Sequence, residues 1–271
     1  MSTSLVAACI QLTARDSVQE NLETCARLCA QARARGAELA VLPENFALVG
    51  TTEHEKLAAA ETIGNGPIVG ALADMATRHG MWIIGGGMPE RSDAPGKVFN
   101  TLVAVAPSGR IAARYRKMHL FDVDIPAGAQ FRESQTVCPG DEPTLLESPW
   151  GKIGLSICYD LRFPELYRRL VHEGARIIVV PAAFTLHTGK DHWHVLLRAR
   201  AIENTAYLLA AGQFGKHNEK RTCYGHSMIV DPWGTILAEA PDRECAVVAE
   251  LDFPFQDKIR RELPSLSHRR L

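Results

Sequence analysis

Residues 153–166 read IGLSICYDLRFPEL, and this stretch combines three features of a catalytic turn. An apolar run of strand length ends at Cys158, and Pro164 is well placed at the first turn of a helix that follows. A nucleophile needs a rigid strand to aim it, a sharp turn to expose it and backbone N–H groups beside it. A lone cysteine after an apolar run is usually a small buried hydrophobe. Here residues 159–162 are too polar to continue a core strand, which favours a reactive thiol whose pKa a helix N-terminus and a lysine would lower.

Two other predicted strands end in charged residues that suit the same chemistry. Glu44 follows Leu42 and Pro43, and a partly desolvated glutamate there would have a raised pKa suited to general base and general acid work. Lys117 ends a predicted strand in which Tyr115 and Lys117 face one way while Arg114 and Arg116 face the other. The alternative for both positions is a solvated surface charge.

The composition of the 271 residues excludes several classes of protein. The formal net charge is −1, which gives no electrostatic argument for a nucleic-acid or anionic-membrane partner. No apolar stretch reaches membrane-spanning length, and the N-terminus lacks the basic flank and long apolar region of a signal peptide. Seven cysteines without paired spacing do not form a disulfide pattern, so we expect a cytoplasmic protein.

Short apolar runs rich in β-branched residues alternate with amphipathic stretches along the chain, which predicts an α/β fold. We predict strands over residues 5–11, 39–42, 82–85, 101–105, 152–157, 177–180, 206–211, 226–230, 235–237 and 246–251. We predict helices from the capping box at Ser17 to Gly36, and over residues 69–79, 164–173 and 191–204. No linker divides this pattern, so residues 1–271 are predicted to be one domain. Residues 121–144 show little periodicity and suggest a long loop near the site.

Glutamate, lysine and cysteine in this chain order resemble the catalytic set of the nitrilase, or carbon–nitrogen hydrolase, superfamily. The resemblance extends from residues 8–12 through residues 231–234. It implies that Glu44 is the base, Lys117 the oxyanion-stabilising cation and Cys158 the nucleophile, with Glu133 holding the lysine and the substrate. It also implies a four-layer α-β-β-α sandwich that forms a homodimer through its helices, and a hydrolysis that needs no metal or other cofactor.

Residues 117–124, 158–166, 192–193 with 196–203, and 216–234 are most similar to the deaminated glutathione amidase branch. This implies hydrolysis of deaminated glutathione to 2-oxoglutarate and cysteinylglycine through a thioester. The matching positions imply that Arg162 and Tyr159, with Phe184 and Thr188, bind this small anionic amide. The chain departs from the branch at residues 189–193, where GKDHW replaces the frequent GPAHW and adds charges. An ω-amidase acting on α-ketoglutaramate, or another small-amide hydrolase of the superfamily, is the alternative.

Several other interpretations compete with this one. Arg162 could instead form an ion pair with Glu165 or Asp160. His187, His192 and His194 could bind zinc with Cys158, although residues two apart do not share a helix face. A catalytically silent scaffolding protein would lack a member of the triad, and all three residues are present. The basic stretch 216–221 could reach the glycine carboxylate of the substrate, but we favour a solvated loop.

Overall fold

Two mixed β-sheets form the centre of the protein, and helices flank them. The computed structural model describes residues 2–124 and 130–270. The strands are β1 Ser4–Gln11, β2 Leu39–Val41, β3 Trp82–Arg91, β4 Val98–Val105, β5 Ile111–Arg116, β6 Asp122–Asp124, β7 Gln130–Arg132, β8 Val137–Cys138, β9 Thr144–Ser148, β10 Gly151–Leu155, β11 Ala175–Val179, β12 Tyr207–Ala210, β13 Phe214–Lys216, β14 Thr222–Tyr224, β15 Met228–Val230, β16 Ile236–Glu239 and β17 Cys245–Asp252. The helices are α1 Val18–Ala34, α2 Glu53–Ala58, α3 Pro67–His79, α4 Pro164–His172, α5 Leu186–Asn204 and α6 Phe253–Glu262.

The two sheets share a topology in which three parallel strands occupy the centre. In the first sheet the order is β17-β1-β2-β3-β4-β5, with β8 added alongside β4. In the second sheet the order is β16-β15-β12-β11-β10-β9. The parallel strands are β1, β2 and β3 in one sheet and β10, β11 and β12 in the other. Each central strand, β2 or β11, therefore delivers its carboxyl end to a loop in the middle of its sheet.

Strand β1 shows why so many strands of this chain are apolar on both faces. Leu5, Ala7 and Cys9 belong to the core that includes both sheets, whereas Ala8 and Ile10 belong to the core under the outer helices. Successive side chains of a strand point to opposite faces, so both faces of β1 are buried. Helices α1 and α3 cover the first sheet, and α4 and α5 cover the second.

The helix boundaries follow from local capping. The Ser17 side chain accepts a hydrogen bond from the Glu20 N–H and begins α1, as the capping box predicts. Helix α5 begins at Leu186 rather than at residue 191, because the Thr185 side chain accepts from the Thr188 N–H and caps an additional turn. The predicted start of α5 was therefore wrong, and Thr188 lies on the first turn of a helix.

Residues 121–144 are not the unbroken loop that we predicted. They contain the short hairpin β6–β7, a 3₁₀ turn at Glu133–Gln135 and strand β8, while residues 125–129 of the predicted loop lie outside the described residues. Strands of two or three residues are too short to show a period in the sequence. The segment does pass the site, as expected, because Glu133 lies in its 3₁₀ turn.

The structure is a single α/β domain with two mixed sheets flanked by helices, which confirms the predicted α/β class, while dimerisation through the helices stays a prediction. The loops after β2 and β11 meet at Gly86, which lies within β3. A Cβ atom at Gly86 would collide with the Leu42 carbonyl oxygen and with the Pro181 side chain. The two loops therefore approach each other closely near Glu44 and Cys158, and a residue without a side chain permits this approach.

Candidate active site

Three loops that follow β2, β5 and β10 bring Glu44, Lys117 and Cys158 into one buried cluster. The Lys117 ammonium donates to Glu44 Oε1 at 2.9 Å, and the Cys158 thiol hydrogen-bonds the same carboxylate. All three side chains are almost completely buried. The sequence placed each of them at a strand exit, and the tertiary structure places these exits side by side.

Glu133 and Asn100 complete the surroundings of the lysine. Lys117 Nζ donates to Glu133 Oε2 at 2.8 Å, so the ammonium bridges two carboxylates as predicted. The Asn100 amide donates to Glu44 Oε1 at 2.9 Å and to Glu133 Oε1 at 3.3 Å. The sequence analysis missed Asn100. A signal was present, because an amide inside the otherwise apolar strand β4 needs a buried hydrogen-bond partner.

The backbone at Cys158 is strained, and the turn leaves one N–H group beside the thiol without an acceptor among the described residues. Cys158 has a φ of 49°, in the left-handed region, which costs a non-glycine residue about 1–3 kcal/mol. Its own N–H donates to the Pro181 carbonyl at 2.8 Å. The next N–H, that of Tyr159, has no hydrogen-bond acceptor among the described residues, so it is free to bind an oxygen beside the thiol.

A buried carboxylate fixes this strained turn to the strand that carries Lys117. Asp160 accepts hydrogen bonds from the Tyr115 hydroxyl at 2.7 Å and from the Ile157 N–H at 2.8 Å. It also accepts from the His119 N–H at 3.1 Å and contacts the His119 Nδ1 at 2.7 Å. One fully buried side chain therefore sets the spacing between the lysine and the cysteine.

The structure reverses both pKa expectations for the cysteine and the glutamate. Burial raises the pKa of the Cys158 thiol well above its ordinary value, and the neighbouring Glu44 charge adds to this effect. Burial alone would raise the pKa of Glu44 too, but the Lys117 and Arg221 charges and the Lys117 and Cys158 hydrogen bonds hold it below its ordinary value. The resting pair is therefore a neutral thiol beside an ionised carboxylate that can accept its proton.

Lys117 keeps its charge despite complete burial. Desolvation would lower the pKa of the ammonium, but Glu133, Glu44 and Cys158 together raise it well above its ordinary value. A permanent cation at hydrogen-bond distance from the base can stabilise negative charge that develops on a reacting oxygen.

The cluster opens into a cavity of about 470 Å³. The four positions expected to bind substrate, Tyr159, Arg162, Phe184 and Thr188, all line it. The Arg162 guanidinium lies 5.8 Å from the centre of the Tyr159 ring and 5.4 Å from that of the Phe184 ring. Its polar contact is His192 Nδ1 at 3.3 Å, and it forms no ion pair with a described carboxylate. The alternative ion pair with Asp160 or Glu165 is therefore wrong.

One residue of the basic stretch 216–221 also enters the cavity. Arg221 lines the cavity wall with Glu44 and Cys158, so the solvated interpretation is wrong for this residue. It remains right for Lys216, Glu219 and Lys220, which are exposed. Among the charged side chains that line the cavity, cations outnumber carboxylates, with lysine or arginine at positions 56, 117, 132, 162 and 221 and glutamate at positions 44 and 133. This balance favours an anionic ligand.

The histidines do not gather around Cys158. His194 lies instead with His226 and Glu239, whose carboxylate oxygen is 2.9 Å and 2.7 Å from the two imidazoles. Within residues 2–124 and 130–270 this is the one group of three side chains that could hold a metal ion. Two imidazoles already satisfy the carboxylate, so the group is stable as a hydrogen-bonded cluster. Lys190 and Asp191, the charged residues of segment 189–193 that differ from the frequent GPAHW pattern, are exposed and do not line the cavity.

None of the described helices combines the length and the apolar character that crossing a membrane requires.

The chain is similar to known proteins in both sequence and structure. The sequence profile of the family described as carbon–nitrogen hydrolase matches residues 6–261. The deaminated glutathione amidase of Synechocystis sp. is 47% identical over 267 residues, which cover 97% of each chain. The deaminated glutathione amidase of Mus musculus is 44% identical over 271 residues, which cover 98% of this chain and 83% of that protein.

Among solved structures, Saccharomyces cerevisiae Nit3 is described as a member of branch 10 of the nitrilase superfamily. It superposes with a TM-score of 0.88 and 31% sequence identity, and the match covers 97% of this chain and 96% of that one. The likeness therefore extends over the whole domain.

Proposed function

This chain belongs to the carbon–nitrogen hydrolase family, and we propose that it is an amidase that hydrolyses deaminated glutathione to 2-oxoglutarate and cysteinylglycine. The observation that carries the proposal is the hydrogen-bonded cluster of Cys158, Glu44 and Lys117 at the base of a cationic cavity. Full-length relatives with that activity in their names support the choice of substrate.

In the first step Cys158 attacks the amide carbon. Glu44 accepts the thiol proton, since its carboxylate is ionised and hydrogen-bonded to the thiol. The carbonyl oxygen becomes an oxyanion, which Lys117 and the Tyr159 N–H stabilise. One such donor typically contributes about 3–4 kcal/mol to the transition state.

In the second step the tetrahedral intermediate collapses. Protonated Glu44 gives its proton to the departing nitrogen, the carbon–nitrogen bond breaks and cysteinylglycine leaves. A water then gives a proton to Glu44 and attacks the thioester, and a second collapse returns the proton to the Cys158 sulfur and releases 2-oxoglutarate. Glu133 positions Lys117 throughout, because its carboxylate also accepts from the Phe121 N–H at 2.7 Å and is thereby fixed.

The substrate has a carboxylate at each end, which suits the cationic cavity. The planar guanidinium of Arg162 binds the carboxylate of the oxo-acid end through two parallel hydrogen bonds. No protein carboxylate among the described residues competes for this guanidinium. Tyr159, Phe184 and Thr188 surround the short carbon chain of the acyl group.

A substrate panel with the pure protein tests this function. We expect a higher kcat/KM on deaminated glutathione than on α-ketoglutaramate, and no turnover by Cys158→Ala. Intact-protein mass spectrometry on a slow substrate should detect an acyl adduct on the wild-type chain that the variant lacks. A large preference for α-ketoglutaramate would indicate an ω-amidase, the alternative that shares the same acyl group. Full activity in Cys158→Ala would exclude the thioester mechanism.

We further propose that two copies of the chain associate through helix α5. Val195 and Ile202 lie two turns apart on α5 and are 66% and 47% exposed, and Ile202 packs beside Gly234, next to the 59% exposed Trp233. Large exposed apolar side chains grouped in this way are typical of association surfaces.

For the compartment we propose the cytoplasm. All seven cysteines are free thiols, and Cys158 must remain reduced to act as a nucleophile.

A further inference from the structure

Arg221 lines the cavity, and its charge acts on Glu44 from beyond ion-pair distance. Its Nε atom is buried and has no hydrogen-bond partner, and no described carboxylate lies within ion-pair distance of its guanidinium. Its recorded side-chain contact is with the Cys223 thiol. Arg221 is half-buried, and a charge partly removed from water is stabilised by a counter-charge or by hydrogen bonds. The natural counter-charge is a ligand that enters the same cavity.

The turn that carries Arg221 is held rigidly against the loop that follows Glu44. The Arg221 carbonyl accepts from the His217 N–H at 3.0 Å, and His217 Nδ1 contacts the Ala14 carbonyl oxygen at 2.7 Å. The Asn218 amide donates to the Gly50 carbonyl at 3.2 Å. A turn held in this way loses little conformational entropy when a ligand binds to it, which is what a specific anion site requires.

Arg221 and Arg162 both line the cavity but come from different segments of the chain, Arg162 from the turn after Cys158 and Arg221 from the turn before β14. Arg162 packs with Tyr159 and Phe184, which surround the acyl group in the proposed mechanism. Arg221 lies close enough to Glu44 for its charge to lower the pKa of that carboxyl, and Asn218 on the same turn contacts Gly50 in the loop that follows Glu44. Because Glu44 protonates the departing nitrogen, the leaving group begins beside Glu44. Two extended residues reach about 7 Å from that nitrogen, which is enough to carry a terminal carboxylate from Glu44 towards Arg221.

We propose that Arg221 binds the C-terminal carboxylate of the leaving group, and that it selects amides of acidic dipeptide-like amines over the primary amide α-ketoglutaramate. This inference rests on the proposed function and assigns the end of the substrate that Arg162 does not hold.

The experiment compares three substrates: deaminated glutathione, the same molecule with its glycine carboxylate converted to a carboxamide, and α-ketoglutaramate. The carboxamide has the same shape and lacks only the charge. For the wild-type enzyme we expect kcat/KM to fall roughly 10- to 100-fold from the acid to the carboxamide, mainly through KM. In Arg221→Gln the ratio of kcat/KM on the acid to kcat/KM on the carboxamide should fall to within about threefold of one. Arg221→Lys should keep part of the wild-type ratio, because lysine retains the charge but cannot donate the two parallel hydrogen bonds of a guanidinium.

Lys220→Gln is the matched control, since Lys220 is an exposed cation on the same turn. It should keep the wild-type ratio. Measurements belong at neutral pH, where Glu44 stays ionised even after the loss of the Arg221 charge, and circular dichroism checks that each variant is folded.

The two proposals fail in different ways. If the wild-type enzyme does not hydrolyse deaminated glutathione, the proposed function is wrong and the Arg221 site is overturned with it. If the wild-type enzyme hydrolyses the acid and the carboxamide equally well, the Arg221 inference alone is wrong, and this result needs no variant. An Arg221→Gln enzyme that keeps the wild-type ratio, or that loses the same factor on all three substrates, overturns the inference as well.

Discussion

The proton balance between Cys158 and Glu44 is the central feature at the scale of residues. Many thiol enzymes use a cysteine whose pKa is lowered, so that the thiolate is already present. Here burial and the Glu44 charge keep the thiol protonated, while two cations keep the glutamate ionised. The nucleophile therefore forms only as the proton moves to Glu44, which makes the carboxylate indispensable as a base.

Glu44→Gln should consequently lower kcat/KM by roughly 10²- to 10⁴-fold, the usual contribution of a general base. Glu133→Gln should cost less, because it loosens Lys117 and leaves the base in place. Steady-state kinetics on deaminated glutathione measure both, with the melting temperature as a control for folding. If Glu44→Gln retained full activity with the wild-type pH dependence, the base would be a different residue.

The pH dependence follows from the same shifts. Activity requires ionised Glu44, and the lowered pKa of Glu44 places the acid limb below the ordinary carboxyl range. The raised pKa of Lys117 keeps this cation protonated beyond the ordinary alkaline range. We therefore expect kcat/KM to be flat from mildly acidic to mildly alkaline pH, and the Arg221→Gln substitution to move the acid limb upward. An acid limb near neutral pH in the wild-type enzyme would contradict the assignment of Glu44.

At the scale of elements, the site depends on the close approach of the loops after β2 and β11 at Gly86. In Gly86→Ala the added methyl group would meet the Leu42 carbonyl and Pro181, and one of the two loops must move. We expect a loss of about 1–3 kcal/mol in the free energy of unfolding. A fall in kcat should accompany it, because both loops adjoin reacting residues.

Gly70→Ala provides the matched control for this prediction. Gly70 is an exposed position inside α3, and a Cβ there would meet nothing within 4 Å. The substitution should stabilise the protein by about 0.5–1 kcal/mol. Urea unfolding and kcat are measured for both variants, which shows whether the loss comes from the collision at Gly86 or from alanine in general. A Gly86→Ala protein with an unchanged free energy of unfolding and an unchanged kcat would disprove the close approach.

At the scale of the whole molecule, the prediction concerns assembly. Replacing Val195 and Ile202 together by glutamate should halve the mass in solution from a dimer to a monomer, because charges on both copies would face each other across α5. Light scattering after size exclusion measures this mass. Gln31→Glu, an exposed position on α1, is the control and should stay dimeric. A wild-type protein that is monomeric at micromolar concentration would refute the proposed interface.

The sequence was sufficient where a property depends on neighbours along the chain. The capping box at Ser17 and the proline at residue 164 begin helices where they were predicted to begin. The apolar runs before Glu44 and Cys158, and the alternation before Lys117, correctly placed these three side chains near strand ends. The hydrophobic period, helix capping and the geometry of proline depend on residues that are close together along the chain, so they can be predicted from a single sequence.

Only the tertiary structure decided what surrounds these side chains. Asn100, Arg221 and Asp160 come from distant parts of the chain, and no local pattern records that they meet. The directions of the Cys158 and Glu44 pKa shifts were wrong from sequence for the same reason, because desolvation and the charges within a few ångströms fix them. The sequence by itself determined which groups could react, namely Cys158, Glu44 and Lys117. Long-range packing excludes water from these groups and sets the distances between them, and it therefore decided that the thiol rather than the carboxylate holds the proton. It also placed Arg221 in the cavity without an ion-pair partner among the described residues.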